Sequence, residues 1–350
     1  MTDSCLPTVL LIGNFLSAHG GSRNVCEELA MRLSEGGWKV ITSSRHPQRL
    51  LRLLDMCLTA WRVRSRYDVA QIDVFSGPAF LWAEAVAGVM SFLRKPYILT
   101  LHGGNLPVFA RRWPGRVQRL LASAAVVTTP SRYLLEEMAR YRADIILLPN
   151  ALDLSLYQPR LTTQPVRPRL IWLRALHRIY NPVLAAQVVD RLRHDWPDVH
   201  LTMVGPDKGD GSFGDLQHFV ADSNLQAHVS YIGGVPKEEV PVWLQRGDIF
   251  LNTANVDNTP VSVIEAMACG LCVVSTNVGG IPYLLDHEQD ALLVPPNDPD
   301  AMADAVRRIL AEPDLAAQLS RNARRKAEQF DWKTILPQWE RLLTEVAQRG

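Results

Sequence analysis

The sequence predicts an α/β protein made of two doubly wound, parallel-sheet domains, and three observations lead there. Its 350 residues exceed the roughly 150 of one average domain about twofold. Short apolar runs alternate with helix-length amphipathic stretches from end to end, the pattern of βαβ units around sheets covered on both faces. Near the middle, Gln158-Pro-Arg-Leu-Thr-Thr-Gln-Pro-Val-Arg-Pro-Arg169 carries three prolines and no apolar period, as an exposed linker does. The expected division is a first domain over 1–158, a linker over 159–169 and a second domain over 170–330.

In the first half, strands are expected at 8–12, 40–42, 69–74, 97–101, 126–128 and 145–148, with the clearest helices at 22–35, 79–93 and 131–140. In the second half, strands are expected at 170–173, 199–204, 229–232, 249–252, 272–275 and 291–294. Asn181-Pro182 reads as an N-cap followed by a proline at the first helical position. Thr259-Pro260 reads the same way before a helix over 261–269, which Gly270 is placed to stop. Helices over 300–311 and 315–330 lead to a last segment, 332–348. Open parallel sheets bind ligands outside the carboxyl ends of their strands, so a ligand between the two domains is the default expectation.

Composition excludes several classes. With 47% hydrophobic and 21% charged residues the chain matches globular usage rather than disorder or a fibrous repeat. No apolar run reaches the ~18 residues of a membrane span, and the start, with Asp3 and no basic stretch, does not read as a signal peptide, so a cytoplasmic protein is expected. Five cysteines scattered over the chain fit reduced thiols. Cys269-Gly-Leu-Cys272 lacks a second Cys or His pair at zinc-like spacing, so no metal is expected. Net charge is +1, yet residues 1–160 sum to +7 and 161–350 to −6, which suggests that the first half meets something anionic.

The most informative segment runs from Asn252 through Asp257-Asn258-Thr259-Pro260-Val261-Ser262 and Glu265-Ala-Met-Ala-Cys-Gly270 to Gly279-Gly-Ile-Pro282. It reads as a strand, a polar loop, a helix N-terminus, a second strand and a Gly-Gly turn. The first backbone N–H groups of such a helix lack internal partners and, with the helix dipole, favour an anion such as phosphate; Pro260 leaves the free donors at Val261 and Ser262. Glu265 falls one turn in, among apolar and small residues, where a carboxylate is costly to bury unpaired. From the residues alone it either accepts sugar or ribose hydroxyls or caps a neighbouring loop.

This segment resembles the donor-binding motif of the family-four retaining glycosyltransferases, which have the GT-B fold of two Rossmann-like doubly wound domains facing a cleft. That family carries Glu-x7-Glu; the second Glu falls on Glu265 and the first on Asp257, one methylene shorter. The family usually shows Gly-Phe-Gly after its first Glu, where this chain has Asn258-Thr-Pro260, and a Glu after Gly-Gly-Ile-Pro, where it has Tyr283. Pro149-Asn-Ala-Leu-Asp153 and Leu101-His-Gly-Gly104 are similar to further family motifs, and the stretch around Phe330-Asp-Trp332 is similar to its closing helix, which implies that 331–350 crosses back to the first domain.

The resemblance implies that a nucleotide diphosphate sugar is the donor, with no cofactor, and that transfer is metal-independent and retains the anomeric configuration. It implies sugar contacts from Asp257 and the backbone N–H groups that follow it, donor binding along Asn258, Thr259, Pro260, Val261 and Ser262, ribose contacts from Glu265, and His102 near the donor sugar. By itself a His at a strand end is more often a hydrogen-bonded structural residue. Gly20 and Gly21, in His19-Gly-Gly-Ser22, match the family's Gly-rich loop, and Gly233, in Tyr231-Ile-Gly-Gly-Val-Pro236, matches the turn whose backbone meets the base. The diphosphate needs cations because charge develops on it as the glycosidic bond breaks. The family supplies an Arg and a Lys after the first strand of domain two. Here Arg174 can stand for the Arg, no Lys follows by Tyr180, and Arg178 either compensates or is a solvated loop charge.

Between residues 45 and 66, six arginines (Arg45, Arg49, Arg52, Arg62, Arg64 and Arg66) face one acid, Asp55, and alternate with Leu50, Leu51, Leu53, Leu54, Leu58 and Trp61. This is the pattern of a basic amphipathic helix on an anionic membrane surface, bringing the protein to the inner face of the membrane and to a glycan or lipid-linked acceptor. The other reading packs the leucines on the sheet and solvates the arginines. Nucleic acid is not expected, since the charge lacks interleaved aromatic platforms. Two other functions fit the departures: a catalytically silent subunit of the same fold that binds nucleotide or glycan, and an epimerase acting on a sugar nucleotide, for which no acid/base pair is visible.

Overall fold

The computed structural model describes residues 6–16, 24–159 and 165–349. The chain forms two units, one comprising residues 1–151 and 332–350 and the other 152–331. In unit 1 the strands are β1 (Val9–Ile12), β2 (Val40–Ser43), β3 (Val69–Val74), β4 (Tyr97–Leu101), β5 (Val126–Thr129) and β6 (Ile146–Leu147). They pair in the order β2-β1-β3-β4-β5-β6, and every pairing is parallel. Unit 2 holds β7 (Arg169–Leu173), β8 (His200–Val204), β9 (Val229–Gly233), β10 (Ile249–Asn252), β11 (Cys272–Thr276) and β12 (Leu292–Val294), again all parallel, in the order β12-β11-β10-β7-β8-β9.

Both sheets are covered on both faces because alternate residues of their strands feed different cores. On β1, Leu10 and Ile12 enter one core and Val9 and Leu11 another. On β7, Leu170 and Trp172 join one core, and Ile171 and Leu173 the other. Hence the near-continuous apolar runs of these strands, where a half-exposed strand would alternate.

The helices of unit 1 are α1 (Val25–Glu35), α2 (Arg49–Arg62), α3 (Phe80–Leu93), α4 (Leu106–Arg112), α5 (Pro114–Ser123) and α6 (Arg132–Met138). Those of unit 2 are α7 (Pro182–Leu192), α8 (Ser212–Asp222), α9 (Val240–Leu244), α10 (Val261–Ala268), α11 (Ile281–Leu284), α12 (Pro299–Ala311) and α13 (Pro313–Ala327). The last helix, α14 (Trp332–Ala347), belongs to unit 1, where Trp332, Ile335, Trp339, Leu342, Leu343 and Val346 join the core of Val9, Leu11, Leu29 and Leu33.

One local expectation changes, and one open choice is decided. Pro260 is the N-cap of α10, with extended φ −69° and ψ 118°, and Val261 is the first helical residue, whereas at α7 the N-cap is Asn181 and the proline is first. The leucines of α2 do not all turn to the sheet. Its inward side is Arg52, Met56 and Ala60, and Leu50, Leu51, Leu54 and Leu58 are exposed. Arg52 lies inside because its guanidinium is satisfied there: Nε donates to the His46 carbonyl (2.8 Å), Nη2 to the Pro47 carbonyl (3.0 Å) and Nη1 to Asn14 Oδ1 (2.8 Å). No helix of the described residues is long and apolar enough to cross a membrane.

Candidate functional site

Strand order picks out where each unit can bind a ligand. In doubly wound sheets the site lies at the carboxyl ends of the strands where the winding direction reverses. In unit 2 that point lies between β7 and β10, which pair with each other and whose onward connections run to opposite sides. Arg174 follows β7 and the loop containing Asp257 follows β10, so two residues 83 apart meet there.

Arg174 Nη2 donates to Asp257 Oδ2 in a buried ion pair, and its guanidinium stacks over the Tyr180 ring at 4.3 Å. Burial works against the charge of Arg174, but Asp257, Tyr180 and Glu265 outweigh it and hold the guanidinium ionised above its ordinary range. Arg174 Nε remains buried without a hydrogen-bond partner. The surrounding loops are stitched to one another. Trp172 Nε1 donates to Thr253 Oγ1 (2.8 Å), Thr253 Oγ1 to the Tyr180 carbonyl (2.7 Å), Asn255 N to the Ile179 carbonyl (2.7 Å), and Thr276 Oγ1 to the Ala254 carbonyl (2.6 Å).

The Gly-Gly turn after β11 closes on the same loop. Gly280 N donates to the Asp257 carbonyl at 3.1 Å. A Cβ on Gly279 would stand 2.2 Å from that carbonyl oxygen, and one on Gly280 would stand 2.0 Å from the Asn258 oxygen. Only glycine allows this approach, which supports the Asp257-Asn258 backbone from behind. Asn258 N donates to Asp257 Oδ1 at 2.9 Å, fixing the carboxylate. Beyond this loop α10 begins, and Ser262 in its first turn has a buried Oγ with no hydrogen-bond partner.

Glu265 is 3% exposed, and its burial is compensated. Its Oε1 accepts from the Tyr157 hydroxyl at 2.7 Å and forms an ion pair with Lys237. Neither partner was expected from the sequence. Lys237 stands in the helical turn Lys237–Glu239, just past the Gly233-Gly234-Val-Pro236 turn, and supplies an ammonium to the site although no Lys follows Arg174. Gly233 ends β9 with φ +87°, and its carbonyl accepts from Gly205 N (2.8 Å). Arg178 stands apart from this group, since its exposed guanidinium turns to Asp215 at 3.3 Å. Cys269 and Cys272 are free and buried, and burial pushes the Cys269 thiol up to about 12, out of the range of a reactive thiolate at neutral pH.

In unit 1 the winding reverses between β1 and β3. His102, just after β4, directs Nε2 to Asp73 Oδ1 on β3 at 3.0 Å and stacks on Phe75 with ring centroids 5.1 Å apart. Gln71 Nε2 donates to Asp73 Oδ1 (2.8 Å) and Thr100 Oγ1 (2.9 Å), completing a polar cluster in a pocket also lined by Cys26, Asn150 and Trp339. Gly13 permits the close pass of β1, since a Cβ there would lie 2.6 Å from Asp73 Oδ2. Asp73 and Gln71 carried no sequence signal, being polar residues inside an otherwise apolar strand. Gly20 and Gly21 lie outside the described residues.

Two Rossmann-like units, each with polar and charged side chains gathered at its point of reversal, define a two-domain α/β protein of GT-B type. The pattern of the family described as glycosyl transferases group 1 matches residues 160–326, and that of glycosyltransferase family 4 matches residues 19–156. The chain belongs to this family of group 1, family 4 glycosyltransferases. It is 28% identical over 268 residues, 72% of its length, to the D-inositol 3-phosphate glycosyltransferase of Paenarthrobacter aurescens, and the match spans 65% of that relative. In fold it is similar to sucrose-phosphate synthase from Thermosynechococcus elongatus, with a TM-score of 0.79 at 19% identity, covering 98% of this chain and 100% of that one. It is also similar to Anabaena HepE in complex with UDP and glucose, with a TM-score of 0.76 at 16% identity, covering 96% and 99%.

Proposed function

We propose that the chain is a retaining, metal-independent glycosyltransferase that moves a hexose from a nucleotide diphosphate sugar to a hydroxyl of a glycan or lipid-linked acceptor. The observation that carries this reading is the buried group at the unit 2 reversal point: two carboxylates, Asp257 and Glu265, each neutralised by one cation, with the Arg174 Nε and Ser262 Oγ still unsatisfied. Buried polar atoms without partners cost about 1–3 kcal/mol each, and a polar ligand that satisfies them recovers that cost.

In this reading the diphosphate takes the N–H groups of Val261 and Ser262 at the start of α10 and the open edge of Arg174, the ribose hydroxyls take Glu265, and the sugar hydroxyls take Asp257 and the backbone of Asn258, Thr259 and Pro260. Arg174 and Lys237 offset the charge that builds on the leaving diphosphate, fixed before the reaction and therefore with little reorganisation. The bond from the anomeric carbon to the diphosphate oxygen breaks, and the acceptor oxygen bonds to that carbon on the same face. The acceptor proton passes to a donor phosphate oxygen, so no side-chain base is required.

One observation favours a second reading, a silent nucleotide- or glycan-binding subunit: both carboxylates already have internal cationic partners. Release of nucleoside diphosphate from UDP-, GDP-, ADP- and dTDP-sugars, measured in EDTA with lipid-linked and glycan acceptors, tests the choice. Acceptor-dependent release giving a product of unchanged anomeric configuration supports the transferase. Nucleotide binding with no turnover on any acceptor favours the silent subunit, and release that requires an added metal contradicts metal independence.

A further inference from the structure

In unit 1, α2 and α3 lie side by side and run the same way: Arg52 near the start of α2 sits over the Trp82 ring of α3 (5.0 Å), and Trp61 near its end meets Phe92 with centroids 5.7 Å apart. On α2, Leu50, Leu51, Leu54, Leu58 and Trp61 occupy about 100° of one side, and all of them are exposed, Leu50 to 77%. On α3, Leu81, Gly88 and Phe92 lie on one exposed stripe, with Phe92 at 75%. An outward-facing row of leucines ending in an aromatic pair is far more apolar than a solvated helix surface needs to be.

The charges around this face are of one sign. Arg62, Arg64, Arg66 and Arg94 are exposed at the carboxyl ends of the two helices, and Arg49 at the start of α2; Arg64 stacks on Trp61 at 5.2 Å. The acids are turned to other tasks: Asp55 accepts from Ser43 Oγ (3.0 Å), and Glu84, the only charged residue of α3, forms an ion pair with Arg116. Apolar side chains with an aromatic pair at one end and guanidinium groups around them match the boundary between acyl chains and anionic headgroups. A two-fold dimer through this face would instead bring two cationic rims together.

We propose that the outer face of α2 and α3 docks on an anionic lipid bilayer, with Leu50, Leu54, Leu58, Trp61 and Phe92 entering the acyl boundary and Arg62, Arg64, Arg66 and Arg94 meeting lipid phosphates. The docking stands independently of the transfer chemistry and rests on the proposed function only for its purpose, access to a lipid-linked acceptor. Cosedimentation with vesicles of phosphatidylglycerol in phosphatidylcholine, against pure phosphatidylcholine, tests it. The protein binds the anionic vesicles at low salt, and binding falls as salt rises. Leu54→Glu with Phe92→Glu lowers it on the order of tenfold or more, and Arg62→Ala, Arg64→Ala and Arg66→Ala together lower it by roughly fivefold per residue. These side chains are exposed, so unchanged thermal unfolding of the variants shows that the fold is intact.

Absence of binding to anionic vesicles at low salt overturns the proposal, as does binding that survives the Leu54→Glu, Phe92→Glu double substitution. A dimer in sedimentation velocity that this double substitution dissociates also overturns it, by assigning the face to self-association. Vesicle binding without any nucleotide-induced stabilisation supports the docking face while counting against the transferase reading alone.

Discussion

At the scale of single residues, the need of Glu265 for buried partners was the most legible feature. A carboxylate inside an apolar helical run must be paired, and the family resemblance names its role. Its partners were not legible. Lys237 stands 28 residues away and Tyr157 stands 108 away, each in a loop whose local sequence resembles any solvated turn. The same limit hid Asp73, which lies in a strand that otherwise reads as core and meets His102 only through the β3–β4 pairing. Because Glu265 is 3% exposed and the Lys237 side chain 22%, the two halves of the pair are unequal. Removing the lysine strands a buried charge, whereas removing the carboxylate charge leaves an ammonium that can turn to water. Lys237→Met is therefore expected to destabilise unit 2 by about 3 kcal/mol and Glu265→Gln by clearly less. Urea unfolding of both variants checks this, and equal losses would contradict it.

At the scale of elements, the strands read well and the faces of helices did not. Twelve strands were expected and twelve are present among the described residues, because short apolar runs bounded by prolines and glycines are too short for helices. The α2 segment has a helical period, yet a period says which residues share a side and not which side turns inward. Arg52, satisfied by two carbonyls and Asn14, takes the inward place that one of the two readings of this helix gave to its leucines. The Gly279-Gly280 turn shows the reverse case, a short motif whose purpose only the structure reveals, since it presses on the backbone of Asp257 and Asn258. Gly280→Ala must push that loop outward. The expected result is an unfolding cost of about 1–3 kcal/mol together with loss of nucleotide-induced stabilisation. A variant that keeps full nucleotide binding would show that the loop position is not what the ligand reads.

At the scale of the whole molecule, both sheets follow doubly wound orders; Arg174–Asp257 lies at the reversal point of unit 2, and Asp73–His102 joins β3, one of the two strands at the reversal of unit 1, to β4. The split of charge, +7 over residues 1–160 against −6 over 161–350, was visible from composition, and the row of leucines on α2 from its period; that Leu81 and Phe92 of α3 extend the exposed apolar face was not. Unit 1 is closed by α14, which the chain reaches only after completing unit 2. Trp339→Ala, in that closing helix and 6% exposed, is expected to cost unit 1 about 3–5 kcal/mol and to leave unit 2 intact. Amide exchange checks this: protection should fall across β1–β6 and persist across β7–β12, and a loss confined to unit 2 would contradict the assignment.

The central claim is that the reversal point of unit 2 takes a nucleotide diphosphate sugar. A thermal-shift panel of UDP-, GDP-, ADP- and dTDP-sugars and the free diphosphates, on the native chain and on Glu265→Ala and Arg174→Ala, tests it most directly. A ligand at about a hundred times its Kd adds about 2.7 kcal/mol of stability. The expected result is stabilisation by one nucleotide class that both substitutions abolish. Stabilisation that survives both would place the nucleotide elsewhere, and stabilisation by none of the panel would contradict the account.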